Sequence, residues 1–367
     1  MDDIPARKAD HIDIAAGQQV SASISPGWDD VHLVHQSLPE IDLDEVDLRT
    51  HFFGRELQAP LVIASMTGGH ARAEEINRRL ALAANEFGLA MGVGSQRAAI
   101  RRPDLLGTYT VARESAPDAF LIANVGAPQL IAQGESAALT VEQIRRLVAD
   151  MQADALAVHL NYLQEVVQPG GDTHARGVLE AIRALAAALD VPVIAKETGA
   201  GISRSQALAL RDAGVAALDV GGAGGTSFAL VESVRAKDQQ LAAAARLGQA
   251  LGDWGLPTAV SVAQCVGSGL PVIATGGIRS GLDAAKALAL GADLVGVARP
   301  LLTAALESYQ ALQAYVAELL HTLRVVMFLM AARTPPDLRR RERVITGETG
   351  QWLRGLAEGA GVETRAL

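Results

Sequence analysis

What most constrains this chain is a series of eight short apolar segments, most of them followed by a stretch with helical periodicity. The segments cover residues 60–66, 89–94, 120–125, 155–160, 193–197, 216–220, 271–275 and 293–298, each bounded by Gly, Pro or polar residues. Among the intervening stretches, 73–87, 141–152, 203–213 and 281–290 place their apolar residues on one helical face. The strand segments are apolar throughout rather than alternating, so both faces of the sheet need cover, as in a parallel sheet flanked by helices. Eight consecutive units favour closure into one (β/α)8 TIM barrel, with an open doubly wound sheet as the alternative.

At 367 residues the chain accommodates that barrel with additions at both ends. Residues 1–58 show little periodicity and read as an N-terminal extension able to supply ligands, residues 59–300 as the barrel, and residues 301–367 as helical segments ending in a polar tail. The most apolar late stretch, Val325 to Ala332, lies between Arg324 and Arg333, is too short to cross a bilayer, and reads as part of a buried helix. The first ten residues lack the apolar core of a secretory signal. A net charge of -9 argues against a broad nucleic-acid surface, and a single cysteine, Cys265, excludes an intrachain disulfide. A cytoplasmic enzyme without nucleic-acid or membrane partners is the expectation.

In a barrel of this kind the chemistry gathers at the C-terminal strand ends and the loops that follow. Here those ends are polar: Ser65-Met66-Thr67-Gly68-Gly69, Gly94-Ser95-Gln96-Arg97, Asn124, His159-Leu160-Asn161 with Gln164-Glu165, and Lys196-Glu197. The last three carry glycine-rich loops, Gly221-Gly222-Ala223-Gly224-Gly225-Thr226, Gly276-Gly277-Ile278-Arg279 and Gly296-Val297-Ala298-Arg299-Pro300. One glycine cluster alone is most simply a tight turn. Clusters on the consecutive seventh and eighth strands, each leading into a helix N-terminus, are expected to form a phosphate site from converging N–H groups. Lys196 would project over the mouth, where a cation stabilises the N1 edge of a reduced flavin, although a strand-end lysine can also be merely solvated. His159 and Glu165 would each be unremarkable alone. Grouped with Asn161 and Gln164, they can bind a diphosphate, orient an alkene and hold a hard cation through oxygen. Arg7, Lys8 and His11 offer further positive charge.

These motifs closely resemble the FMN-dependent type 2 isopentenyl-diphosphate isomerase family over nearly the whole chain. The more discriminating parts are Arg7-Lys8-Ala9-Asp10-His11-Ile12 and the fourth-strand run His159 to Glu165, since the later glycine loops recur in other FMN barrels. Further matches are Asp253-Trp254-Gly255-Leu256-Pro257-Thr258 and Val297-Ala298-Arg299-Pro300. The chain departs from the family at Tyr162, where proline is usual. The resemblance implies that Ser65, Met66, Thr67, Ser95, Asn124, Lys196 and Thr226 contact FMN, with Gly277, Ile278, Arg279, Ala298 and Arg299 around its phosphate. It implies that Arg7, Lys8, Ser95, Gln96, Arg97 and Gln164 contact the substrate and that Glu165 binds Mg2+. His11, His159 and Asn161 fall near the diphosphate.

The implied reaction interconverts isopentenyl and dimethylallyl diphosphate by a 1,3 proton shift. It uses reduced FMN, with NADPH as reductant, and Gln164 orients the reacting end; a homo-oligomer is expected. The rivals are an FMN oxidoreductase, such as a 2-hydroxy-acid oxidase or a nucleotide dehydrogenase, and a flavin-storing barrel without turnover. Cys265 lies just before the seventh strand, poorly placed for the cysteine that a nucleotide dehydrogenase needs.

Overall fold

The computed structural model describes residues 4–359. All eight expected strands form: β1 (Leu61–Ile63), β2 (Ala90–Gly92), β3 (Phe120–Gly126), β4 (Ala155–Leu160), β5 (Val193–Glu197), β6 (Ala217–Asp219), β7 (Val272–Thr275) and β8 (Leu294–Val297). They pair in parallel, in sequence order, and β8 closes on β1 through Val295↔Leu61 and Val297↔Ile63. Closure removes every free edge, which settles the choice between a barrel and an open sheet. Strands β1, β2, β6, β7 and β8 are shorter than their apolar runs because the end residues stay outside the ladder, whereas β3, β4 and β5 span theirs in full. Beyond them the chain turns into the loops that carry the polar groups.

Inside the barrel Val62, Ala90, Ile122, Ala155, Ala157, Ile194, Ala217, Ile273 and Leu294 form one buried cluster with Phe120. So many alanines leave room at the N-terminal end. A hairpin of Thr50–Phe52 and Arg55–Leu57 fills it, packing Phe52 and Leu57 into the same cluster, with the Phe52 and Phe120 rings 5.5 Å apart in a T-shaped contact. The N-terminal extension therefore plugs the end of the barrel remote from the polar strand ends.

The extension also forms a helix, Ile4–Gly17, which the sequence pattern did not suggest. It crosses the opposite end, burying Ile12 in the main core and packing Ile14 against Val20 and Val231. At the other terminus the expected helical segment is present. Helix Tyr309–Leu329 is long and apolar enough to span a bilayer by length and composition, but it buries Leu312, Val316, Leu319, Leu323 and Met327 against the barrel helices. Of the expected buried stretch 325–332, Met327, Met330 and Ala332 are buried, Leu329 is exposed, and the last three residues lie beyond the helix end. Arg343–Ile345 pairs with Val31–Leu33 and ties the two terminal segments together. Helix Gly347–Gly359 ends the described chain, and the rest of the expected tail, 360–367, lies outside the described residues.

Candidate active site

A cavity of about 740 Å³ opens at the C-terminal strand ends, beneath the N-terminal helix. Across its floor the parallel register aligns Gly126, His159, Lys196 and Asp219 on four neighbouring strands. Lys196 is 7% exposed, and its ammonium lies 3.0 Å from an Asp219 carboxylate oxygen. The other Asp219 oxygen is buried without a hydrogen-bond partner. Beside them His159 Nδ1 meets Asn124 Oδ1 at 2.7 Å. Burial, then the Lys196 and Lys8 charges, pull His159 down to about 3, so it works as a neutral imidazole.

One wall is the glycine loop pair. Gly276 and Gly277 have φ of 131° and 65°, and a Cβ on Gly225 would sit 2.9 Å from the Gly277 nitrogen, so only glycine permits this approach. The loops after β7 and β8 open the N-termini of helices Gly281–Leu290 and Arg299–Glu307, with Arg279 and Arg299 at the rim. Two helix ends and two guanidiniums are a fitting cradle for the terminal phosphate of a mononucleotide. The buried, polar floor of Thr67, Asn124 and Lys196 fits the polar edge of a flavin.

The opposite wall carries the fourth-strand motif. Helix Tyr162–Val167 starts directly after Asn161, so Tyr162 takes the first helical position, the place where proline is best tolerated. Its hydroxyl donates to the His174 carbonyl at 3.2 Å. One turn of this helix points Gln164 and Glu165 at the cavity. Burial raises the Glu165 pKa, while the Asp172 N–H donates to its Oε2 at 2.9 Å and Asn161 Nδ2 to its Oε1 at 2.9 Å. Among the described residues no group of three His, Cys, Asp or Glu could hold a metal by itself. A single buried carboxylate fits a magnesium ion, which keeps waters and takes the remaining oxygens from substrate phosphates.

The N-terminal helix closes the roof with Arg7, Lys8 and His11. Lys8 Nζ donates to the Gly68 and Ser95 carbonyls at 2.8 and 2.5 Å and to the Tyr109 hydroxyl at 2.8 Å. Burial, with Arg7 alongside, lowers its pKa to about 7. Lys8 thus staples the helix to the loops after β1 and β2. His11 Nε2 lies 2.7 Å from Glu232 Oε1, the same oxygen that accepts from Gln164 Nε2 at 3.1 Å, while Arg235 Nη1 donates to Glu232 Oε2 at 2.6 Å. Burial opposes the Glu232 charge. The His11 hydrogen bond, the His11 and Arg235 charges and the Gln164 amide outweigh it and hold the pKa near 2.

Ser65, Met66, Thr67, Ser95, Arg97, Asn124, His159, Asn161, Gln164, Glu165, Lys196, Thr226, Gly277, Ile278, Arg279, Ala298 and Arg299 all line this cavity, together with Arg7, Lys8 and His11. Gln96 does not. It is fully buried behind the wall, where its Oε1 accepts from the Asn124 backbone, because its position just before the short helix Arg97–Arg101 turns it inward. Cys265 is buried, does not line the cavity, and is raised by burial to about 12. Tyr109, Asp219, Glu232 and Arg235 are the polar partners that sequence reading missed.

The family model for FMN-dependent dehydrogenases matches residues 1–101 and 122–345. Solved structures of similar fold include a mandelate oxidase variant with an FMN adduct (TM-score 0.62, 20% identity, 91% of this chain and 95% of that one). They also include a lactate oxidase of Pediococcus acidilactici (TM-score 0.65, 18% identity, 94% and 91%). Curated relatives named isopentenyl-diphosphate delta-isomerase are far closer in sequence. Those of Methanothermobacter thermautotrophicus and Methanoregula boonei are 46% and 50% identical over 95% of this chain and 96% of their own length. That of Archaeoglobus fulgidus is 47% identical over 95% and 97%. A barrel with a phosphate cradle, a buried lysine on its floor and a carboxylate–amide wall thus comes with full-length sequence similarity, and the chain belongs to the isopentenyl-diphosphate delta-isomerases within the FMN-dependent dehydrogenase family.

Proposed function

We propose that this protein interconverts isopentenyl and dimethylallyl diphosphate, with FMN in the cavity and Mg2+ at Glu165. The observation that carries the reading is the junction of two chemistries in one 740 Å³ cavity: the glycine-loop cradle on one side and the Glu165, Gln164 and Arg97 wall on the other. A 2-hydroxy-acid oxidase needs a base beside arginines for a carboxylate. Burial makes His159 a weak base, with its pKa lowered to about 3, and Arg97 is paired with Asp172, which favours the isomerase over that rival.

Ser65, Met66, Thr67, Ser95, Asn124, Lys196 and Thr226 would hold the flavin, with Gly277, Ile278, Arg279, Ala298 and Arg299 at its phosphate. When bound and reduced, FMN supplies acid–base chemistry and an electron-rich face for the alkene. Arg7, Arg97, His159 and Asn161 would hold the diphosphate with the cation at Glu165, which places the alkene end deeper in the cavity, and Gln164 would orient it. Lys8 and His11 fix the roof over it. Gln96 acts from behind the wall by fixing Asn124. NADPH as reductant, a homo-oligomeric assembly and a cytoplasmic location complete the reading.

The deciding experiment counts electrons. The enzyme is reduced with limiting dithionite or NADPH without oxygen, and isopentenyl diphosphate is added. Substrate and product share one oxidation state, so dimethylallyl diphosphate should far exceed the electrons supplied. Product capped by the electrons, or equal activity with oxidised flavin, rejects the isomerase.

A further inference from the structure

Behind the Glu165 wall the chain turns through Gly170, at φ 70°, and Gly171, where a Cβ would lie 1.9 Å from the Glu165 carbonyl oxygen. That tight fold returns Asp172 to the site. Its N–H donates to Glu165 Oε2 at 2.9 Å, and its Oδ2 accepts from Arg97 Nη1 at 2.5 Å and from Gln129 Nε2 at 3.0 Å. Arg97 and Gln129 line the cavity and Asp172 does not. The ion pair is largely shielded, with side chains 18% and 15% exposed.

This arrangement sets the charge that a diphosphate meets. Arg97 is balanced by Asp172, and the Glu165 carboxylate offsets Arg7, whose charge reaches it. Lys8 spends its donors on Gly68, Ser95 and Tyr109. The charges of Arg97 and Arg7 are therefore largely offset, and a polyanion gains little from these two guanidiniums by charge alone. A divalent cation at Glu165 would shift the balance decisively positive.

We propose that Asp172 is a specificity-determining residue: by neutralising Arg97 it makes the site accept a diphosphate as its divalent-cation complex and discriminate against the metal-free polyanion. The inference rests on the diphosphate and Mg2+ reading above and adds a residue that the cavity lining does not include. Lost positioning and lost charge separate cleanly. A residue that only positions Arg97 would, when removed, weaken anion binding with and without metal alike. A residue that balances its charge would, when neutralised, strengthen metal-free binding selectively.

The test uses the FMN-loaded protein and inorganic pyrophosphate as the probe, titrated calorimetrically in excess Mg2+ and in EDTA. In wild type the metal-free Kd should exceed the Mg2+ Kd by roughly a hundredfold or more, the scale of one desolvated unit charge pair. In Asp172→Asn that ratio should fall about tenfold, mainly through tighter binding in EDTA, and Asp172→Glu should restore it. An unchanged ratio in Asp172→Asn, with both affinities weakened, overturns the proposal. So does a wild-type ratio near one, a measurement that needs no variant to fold. Wild type that binds no pyrophosphate even with Mg2+ overturns the diphosphate reading itself, and the proposal with it.

Discussion

The side-chain nitrogen of Gln164 donates to Glu232 Oε1 at 3.1 Å, and this decides which end of the amide is presented to a substrate. A carboxylate only accepts, so the NH2 group must face Glu232 and the carbonyl oxygen must face away, toward Asn161 Nδ2 at 3.5 Å. An amide oxygen beside an alkene stabilises positive charge, whereas an NH2 group there would oppose it.

Glu232→Gln should therefore lower kcat by roughly tenfold to a hundredfold with a much smaller change in KM, because the new amide can donate and lets Gln164 rotate. FMN retention should not change, since Glu232 does not line the cavity. Glu232→Asp should recover part of the loss. Steady-state kinetics beside flavin absorbance checks all three, and equal losses of FMN and kcat would make Glu232 a folding residue only.

The same carboxylate governs acid stability. Its pKa is lowered from 4.5 to about 2 in the fold, so the unfolded chain binds the proton first as the pH drops. The stabilisation is complete above pH 4.5 and is lost as the pH falls toward 2. Thermal melting should show Glu232→Gln well below wild type at neutral pH, by about 3 kcal/mol for a broken buried pair, with the gap closing across that acid window.

Lys196 and Asp219 make opposite predictions for the flavin. The Lys196 cation would favour the extra electron density of reduced FMN, and Asp219, 3.0 Å away, tempers it. Lys196→Met should lower the two-electron midpoint potential and Asp219→Asn should raise it, each by some tens of millivolts, where about 30 mV corresponds to 1.4 kcal/mol. Spectroelectrochemistry reads both. Shifts of the same sign would separate the pair from the flavin.

How legible the molecule was in its sequence follows from where each signal resides. Strand runs such as 155–160 and 193–197 carry their own pattern, and the parallel register then brings His159 beside Lys196 without further information. The N-terminal helix and the Phe52 hairpin lack such a pattern because their apolar partners, Val231 and Phe120, lie far along the chain. Gln96 was misplaced toward the cavity because a motif gives composition but not direction. Glu232 and Arg235 show an i, i+3 charge pair inside a largely buried helix, and two charges among Ala229, Val231 and Ala236 are the signal that could have found them. Asp219 and Asp172 offered no comparable signal, since each acts through a partner distant in sequence.

Substitution at Glu165 would test the proposed metal separately from the flavin. Glu165 is 7% exposed, its carboxylate is bonded to Asn161 and the Asp172 N–H, and it stands on the wall opposite the phosphate cradle of Gly277 and Arg299. Glu165→Gln keeps the size and one acceptor oxygen, for either the Asn161 amide or the Asp172 N–H, but replaces the other oxygen with an NH2 donor and removes the charge a hard cation requires. The Mg2+ concentration for half-maximal turnover should rise by at least tenfold, about 1.4 kcal/mol, while the flavin spectrum and FMN retention stay as in wild type. Excess Mg2+ should recover part of the rate, because substrate phosphates and water still supply most of the ligands. A variant that loses turnover with an unchanged Mg2+ midpoint would remove Glu165 from the metal and leave it as a support for Asn161 and the Asp172 turn.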